Sequence, residues 1–430
     1  MADTIFALAS GRGRAGVAVL RLSGPLAGSA LDALAGQRPE ARRAHLATLR
    51  DPVDGVEIDR GLLLWFPGPA SFTGEDVAEL HLHGGRAILS RITDVLIRLG
   101  LRPAGAGEFT RRAFEHGKLD LAQAEAVADL VDAETEAQRR QALRQLDGAL
   151  GRLYEGWRDW LKVLLARLEA LIDFPDEGLD EAIEGEVRAG AGLLRAEIAA
   201  HLADGHRGER LRDGFEIAIT GAPNVGKSSL LNRLSATEAA IVSDMPGTTR
   251  DVIEVALDLG GYRVVLIDTA GLRETEDPIE REGVRRARAR AESADLRLEV
   301  IVPGDPLPPP GEGARLVVLN KADLGPGPAE ALPVSARTGA GIGELLAMLG
   351  QTVAERLNPG EAPAITRARH RLAVEASLSA LDRALDPLAL PPELRAEDLR
   401  QALRDLGRVV GTVDVEDLLD VIFSEFCIGK

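Results

Sequence analysis

A chain of 430 residues is longer than one hydrophobic core usually serves, so two or three domains are expected, and 45% hydrophobic with 28% charged residues makes them globular. A net charge of -17 excludes a protein whose whole surface grips nucleic-acid phosphates, since that mode needs clustered lysine and arginine. The single cysteine, Cys427, excludes an intrachain disulfide and cysteine-histidine metal cages.

Met1 to Ser10 carries Asp3 and a short apolar run without the basic lead of a secretory signal, and no segment has the roughly 18 uninterrupted apolar residues of a membrane span. A cytoplasmic protein without membrane association is expected. From Thr4 to His116, short β-like runs (Val17 to Leu22, Gly61 to Phe66) alternate with glycine-rich turns, which predicts an α+β domain. Gly11-Arg12-Gly13-Arg14-Ala15-Gly16 spells a dinucleotide fingerprint, but it leads into a strand-like run instead of a helix and reads better as a turn. His81 and His83 alternate ahead of Gly84-Gly85 with no further ligand cluster nearby, so no zinc site is expected.

From Leu119 to Arg210 the period becomes helical. Trp157, Leu161, Leu164, Leu165, Leu168, Leu171 and Ile172 share one face, and Pro175 interrupts the helix. Phe215 to Leu349 alternates strand-like runs (Glu216 to Thr220, Val264 to Asp268, Leu316 to Asn320) with helical ones, the order of a parallel sheet. Two charges in Leu296 to Val302 predict that this strand is shifted toward Val300 to Val302 or is partly exposed. After Pro359 the helical period returns, with Leu399, Leu403, Leu406 and Val410, then Leu418, Leu419, Ile422 and Phe426. Helical flanks on both sides of the α/β block imply one helical domain with an α/β unit inserted into it. The expected division is 1–117, 118–212, 213–357 and 358–430, the second and fourth segments forming the helical domain.

Gly221-Ala222-Pro223-Asn224-Val225-Gly226-Lys227-Ser228 matches the phosphate-loop pattern between an apolar strand and the helical run from Ser229 to Leu234. Its backbone N–H groups point at phosphates, Lys227 supplies a cation, and the Ser228 hydroxyl can reach Mg²⁺. Asp268-Thr269-Ala270-Gly271 ends a strand, with a carboxylate for the metal region and Gly271 for the γ-phosphate. Asn320-Lys321-Ala322-Asp323 ends another, where Asp323 can accept hydrogen bonds from the N1–H and 2-amino group of guanine; Ser335-Ala336 completes the base loop. Adenine has no 2-amino group, so the nucleotide is GTP. Thr248-Thr249-Arg250-Asp251 lies where a switch threonine should close on Mg²⁺; Thr249 is the candidate ligand and Arg250 and Asp251 are candidate catalytic residues. The position of the water-orienting glutamine of Ras-type GTPases holds Leu272, so catalysis needs a polar group from elsewhere. Among the acidic residues that follow, Glu274, Glu276, Glu280 and Glu282, the residues alone select none.

Further stretches carry a full-length resemblance: Ser71-Phe72-Thr73-Gly74-Glu75-Asp76, Gly107-Glu108-Phe109-Thr110, Lys118 to Ala126, Asp173-Phe174-Pro175 and Phe426-Cys427-Ile428-Gly429-Lys430. With the nucleotide motifs, the chain resembles the MnmE (TrmE) family of tRNA modification GTPases. The resemblance implies an amino-terminal α+β folate-binding and dimerisation domain, followed by a P-loop, Ras-like GTPase domain inserted into an α-helical domain. It also implies a homodimer that joins the FAD-dependent flavoprotein MnmG (GidA) as a heterotetramer. Together they would modify carbon 5 of the tRNA wobble uridine with a one-carbon unit from 5-formyl- or methylene-tetrahydrofolate. Further implications are K⁺ held by Asn224, Ser243, Met245 and Thr248, a water-orienting Glu280, folate contacts from Arg21, Glu79, Lys118 and Lys430, and a candidate reactive thiol at Cys427. Val225, Gly226 and Ser229 complete the expected GTP contacts. The competing reading is an RNA- or ribosome-binding assembly GTPase, which shares the nucleotide motifs but would carry a basic RNA-binding module.

Overall fold

In the computed structural model the described residues are 3–11, 13–173, 180–204, 206–241, 254–268, 292–311, 313–358, 363–386, 391–413, 416–424 and 426–429. They form two compact units, one of residues 1–131, 145–192 and 379–430, the other of 132–144 and 193–378.

The first unit holds a six-stranded sheet in the order β3-β4-β5-β2-β1-β6, built from β1 (Ile5–Leu8), β2 (Ala18–Ser23), β3 (His45–Arg50), β4 (Glu57–Phe66), β5 (Val77–Leu82) and β6 (Arg102–Pro103). Alternation along each strand decides its two faces. Leu20 and Leu22 of β2 and Leu80 and Leu82 of β5 join Leu31 and Leu34 of α1 (Ala27–Ala35) and Ile92 and Val95 of α2 (Arg86–Arg98) in one core. The opposite face carries Ile5 and Ala7, which pack with Phe109 of α3 (Glu108–Glu115). On that same face Arg21 lies in register with Ala7 on one side and Glu79 on the other.

In the same unit, α6 (Ala149–Asp173) buries Trp157, Leu161, Leu164 and Leu168; Phe174 and Pro175, where the break is expected, lie outside the described residues. It packs against α12 (Pro392–Val410), which buries Leu399, Leu406 and Val410. The helical stretches before and after the α/β block therefore share a core, as their flanking positions imply. Truncating one such fully buried leucine to alanine costs about 2–5 kcal/mol. Nearby, Leu419, Ile422 and Phe423 of α13 (Glu416–Ser424) cluster with Phe426 and with Leu121 and Ala124 of α4 (Leu121–Asp132). The flanking stretches also form α7 (Asp180–Leu202) and α11 (Ala368–Ala384), which belong in part to each unit, and α8 (Arg207–Asp213), which belongs to the second.

The second unit is built on a sheet in the order β12-β11-β10-β7-β9-β8: β7 (Phe215–Thr220), β8 (Glu254–Leu259), β9 (Tyr262–Asp268), β10 (Leu296–Ile301), β11 (Arg315–Leu319) and β12 (Leu332–Pro333). Every pairing is parallel except β8 with β9. Ile217, Ile219, Leu266, Leu298 and Val318 meet Leu230, Leu231 and Leu234 of α9 (Lys227–Ser235) and Leu345, Leu349 and Val353 of α10 (Ile342–Leu357). Strand β10 begins at Leu296 without a shift; its Arg297 and Glu299 are half-buried, and Arg315 on the neighbouring strand pairs with Glu299 at 3.2 Å. In this unit Ala137, near the start of α5 (Glu136–Leu146), donates its N–H to the Gly261 carbonyl in the β8–β9 turn at 2.9 Å, and Arg263 pairs with Glu134 at 2.8 Å.

Candidate functional site

The phosphate loop runs from the end of β7 to the start of α9. Three of its residues have positive φ: Gly221 at 140°, Asn224 at 64° and Gly226 at 96°. Gly226 is sterically required, because a Cβ there would lie 2.5 Å from the Asn320 side-chain nitrogen. Lys227 is buried, and its ammonium donates to the carbonyls of Gly221 at 2.8 Å and Ala222 at 2.9 Å. The cation is thus held over the loop itself. Val225 is buried under the loop, whereas Ser228 and Ser229 are exposed.

At the open end of the loop the Ser228 hydroxyl donates to Asp268 Oδ2 at 2.7 Å, and Asp268 is fully buried at the end of β9. A hydroxyl beside a carboxylate is an all-oxygen donor pair at the N-terminus of a helix, which fits Mg²⁺ shared with phosphate oxygens. The remaining predicted residues of this end, Ser243, Met245, Thr248, Thr249, Arg250, Asp251, Gly271, Leu272 and Glu280, lie outside the described residues.

At the base end, Asn320 ties two loops together. Its Nδ2 donates to the Val225 carbonyl at 2.9 Å and its Oδ1 accepts from the Ala336 N–H at 3.1 Å, joining phosphate loop to base loop. Lys321, at a φ of 58°, donates to the Asn224 carbonyl at 2.8 Å. Ser335 donates its hydroxyl to Asp323 Oδ1 at 2.7 Å, and Arg337 pairs with Oδ2 at 2.9 Å. The Ser335 hydrogen bond is the leading cause that holds the Asp323 carboxyl below the usual carboxylate range. An ionised carboxylate with two acceptor oxygens is the chemistry that guanine's N1–H and 2-amino group require. Two arginines escape the sequence reading: Arg337, and Arg233 of α9, whose guanidinium donates to the carbonyls of Ala336 at 2.9 Å and Arg337 at 2.7 Å. No short motif marks either.

In the first unit, Arg21 and Glu79 meet as a cross-strand ion pair at 2.9 Å, with the guanidinium carbon 5.7 Å from the Phe72 ring centre and 5.9 Å from that of Phe109. The Ser71 to Asp76 stretch is anchored beneath them. Thr73 and Ser23 hydroxyls lie 2.7 Å apart, Ser23 donates to Glu75 at 2.7 Å, and Arg112 pairs with Glu75 at 2.9 Å and with Asp3 at 2.7 Å. Lys118 is exposed beside this stretch, its Cε 3.4 Å from where a Cβ on Gly74 would stand. The tail approaches the same sheet: Gly429, at a φ of 102°, sits so close to Leu8 that a Cβ would lie 2.3 Å from the Leu8 carbonyl oxygen. Cys427 is exposed, and Lys430 lies outside the described residues. The histidines set aside as a zinc pair are each engaged by a carboxylate, His81 with Glu79 at 3.2 Å and His83 with Asp59 at 2.8 Å.

Among the described residues no helix is long and apolar enough to cross a membrane. Residues 4–118 match the family model "GTP-binding protein TrmE N-terminus", and residues 121–427 match "MnmE helical domain". The tRNA modification GTPase MnmE of Rhodospirillum rubrum is 58% identical over 100% of this chain and 99% of its own length. That of Methylobacterium radiotolerans is 56% identical over 100% of this chain and 99% of its own. The solved G domain of the T. maritima FeoB iron transporter is 24% identical and covers 33% of this chain and 98% of its own, with a TM-score of only 0.23. Two family models that together span nearly the whole sequence, and relatives matched from end to end, establish that the chain belongs to the MnmE family of tRNA modification GTPases.

Proposed function

We propose that this chain hydrolyses GTP to drive modification of the wobble uridine of tRNA. The observation that carries the reading is the convergence at strand ends of Lys227 over its loop, Ser228 on Asp268, and Asp323 set by Ser335. Ser228 and Thr249 would hold Mg²⁺, whose charge would offset that of the phosphate oxygens; Lys227 adds a cation of its own and Asp323 selects guanine. By motif order Gly271 is assigned to the γ-phosphate and Arg250 and Asp251 to catalysis, and by resemblance Glu280 to orienting the attacking water. With Leu272 where a glutamine would act, Asn224, Ser243, Met245 and Thr248 would hold K⁺, whose charge would serve the role an arginine finger has elsewhere. Turnover should then be at least about tenfold faster in potassium than in sodium salts at equal ionic strength; equal rates would exclude the assignment.

The domains are 1–117 for folate binding and dimerisation, 118–212 with 358–430 for the helical body, and 213–357 for the GTPase. Tetrahydrofolate carrying a one-carbon unit binds Arg21, Glu79, Lys118 and Lys430, with Cys427 a candidate thiol for the chemistry. The Arg21 pair supports this: an arginine and a carboxylate side by side can meet the hydrogen-bonding edge of a pterin, and the exposed Phe72 ring beside Arg21 can meet its flat face. Glu79→Gln should weaken 5-formyl-tetrahydrofolate binding by roughly 10–100-fold, the worth of a charged hydrogen bond at about 1.5–3 kcal/mol. Calorimetry on the full chain measures it, and an unchanged affinity counts against the site. The chain acts as a homodimer with the FAD-dependent flavoprotein MnmG in a heterotetramer in the cytoplasm. The -17 charge supports a partner that supplies most of the tRNA contact.

A further inference from the structure

Arg233 belongs to no nucleotide motif, yet it lies on the helix that opens with Lys227 and Ser228. Its Nε and Nη2 donate to two successive carbonyls, those of Ala336 and Arg337, at 2.9 and 2.7 Å. The loop so held carries Ser335, which is buried and bonded to Asp323, and Ala336, whose N–H is bonded to Asn320. A turn within the loop, Gly339 N–H to the Ser335 carbonyl at 2.8 Å, leaves these two carbonyls for the arginine fork. The planar guanidinium fixes both carbonyls in one plane, which a point charge on a flexible stem cannot do.

We propose that Arg233 is a positioning residue of the guanine site: it locks the base loop to the phosphate-loop helix and thereby sets how long a guanine nucleotide stays bound. The proposal rests on the reading of Asp323 as the guanine acceptor. The base end and the phosphate end of the nucleotide become one rigid piece through Arg233, which holds the loop's carbonyls, and Asn320, which holds its Ala336 N–H. Without Arg233, Asn320 is left, among the described residues, to tie the backbone of Ala336, and Ser335 and Asp323 gain freedom to drift from the base.

Stopped-flow release of N-methylanthraniloyl-GDP from the full chain tests this. Arg233→Ala should release GDP about tenfold faster, as expected for loss of two charge-assisted hydrogen bonds at a partly exposed site. Arg233→Lys, which can reach one carbonyl, should fall between. Because the effect acts at the base, Arg233→Ala should also narrow the preference for GTP over ITP, which lacks the 2-amino group; general damage to the fold would weaken both alike. Asp323→Asn, assayed with GTP and XTP, separates the two ideas. If it keeps the parental preference for GTP, the guanine assignment itself fails. If it switches to XTP while Arg233→Ala releases GDP at the parental rate with an unchanged GTP to ITP ratio, the role of Arg233 is overturned alone.

Discussion

Asp323→Asn is expected to convert the chain from a GTP-binding to an XTP-binding protein. An ionised carboxylate offers two acceptors to the N1–H and 2-amino group of guanine, whereas asparagine presents one acceptor and an NH₂ donor. Facing guanine, that NH₂ would meet the 2-amino group donor to donor; facing xanthine, it meets the carbonyl at carbon 2. The site tolerates the change: the substituted asparagine keeps an oxygen for the Ser335 hydroxyl that now bonds Asp323 Oδ1 at 2.7 Å, and Arg337, which now pairs with Oδ2, is exposed and can turn away into water. Sites built to hydrogen-bond a substrate group reject the analogue that leaves partners unmatched by large factors, here at least about 10²-fold in GTP affinity with a gain for XTP of similar size. Competition between the nucleotides measured by fluorescence checks both halves. Loss of affinity for both would mean that Asp323 supports the loop and does not read the base.

Lys227→Met is expected to reduce GTP affinity by about 10³-fold, equivalent to two charge-assisted contacts worth roughly 4 kcal/mol together. Methionine preserves the apolar stem in a buried position while removing the charge. The two carbonyls that now accept from Lys227 belong to the exposed residues Gly221 and Ala222, so water can satisfy them and the loop should keep its form. The loss should therefore appear in nucleotide affinity without a matching drop in the thermal unfolding midpoint. A fall in stability with unchanged affinity would make Lys227 a loop strut.

The difference between what the sequence discloses and what it hides follows the range of the interactions. Gly221 to Ser228 is legible because a phosphate loop is made by consecutive residues, and the strand-loop-helix order is itself covalent. The face of α6 that carries Trp157, Leu161, Leu164 and Leu168 is legible for the same reason, since helical spacing is local. The charges of β10 pointed to a shifted or partly exposed strand; they are partly exposed in place, because Arg315, on the next strand, neutralises Glu299. Nothing within the strand announces that partner. Arg21 and Glu79 are ordinary surface charges to periodicity and composition; only strand register brings them opposite each other. The Glu75, Arg112 and Asp3 network leaves no local signature because its members come from separate loops and a helix, and Arg233 and Arg337 leave none because their contacts arise only once the base loop closes on α9. The switch candidates Thr249 and Glu280 rest on motif order and family resemblance alone.

Mass analysis of wobble-position nucleosides, in tRNA from a host lacking this chain, tests most directly whether its GTP site serves tRNA modification. Uridines bearing an aminomethyl-type group at carbon 5 should vanish from the deleted strain, return with the parent chain, and stay absent with Lys227→Met at equal protein level. Full modification in the deleted strain, or complete restoration by Lys227→Met, would contradict the account.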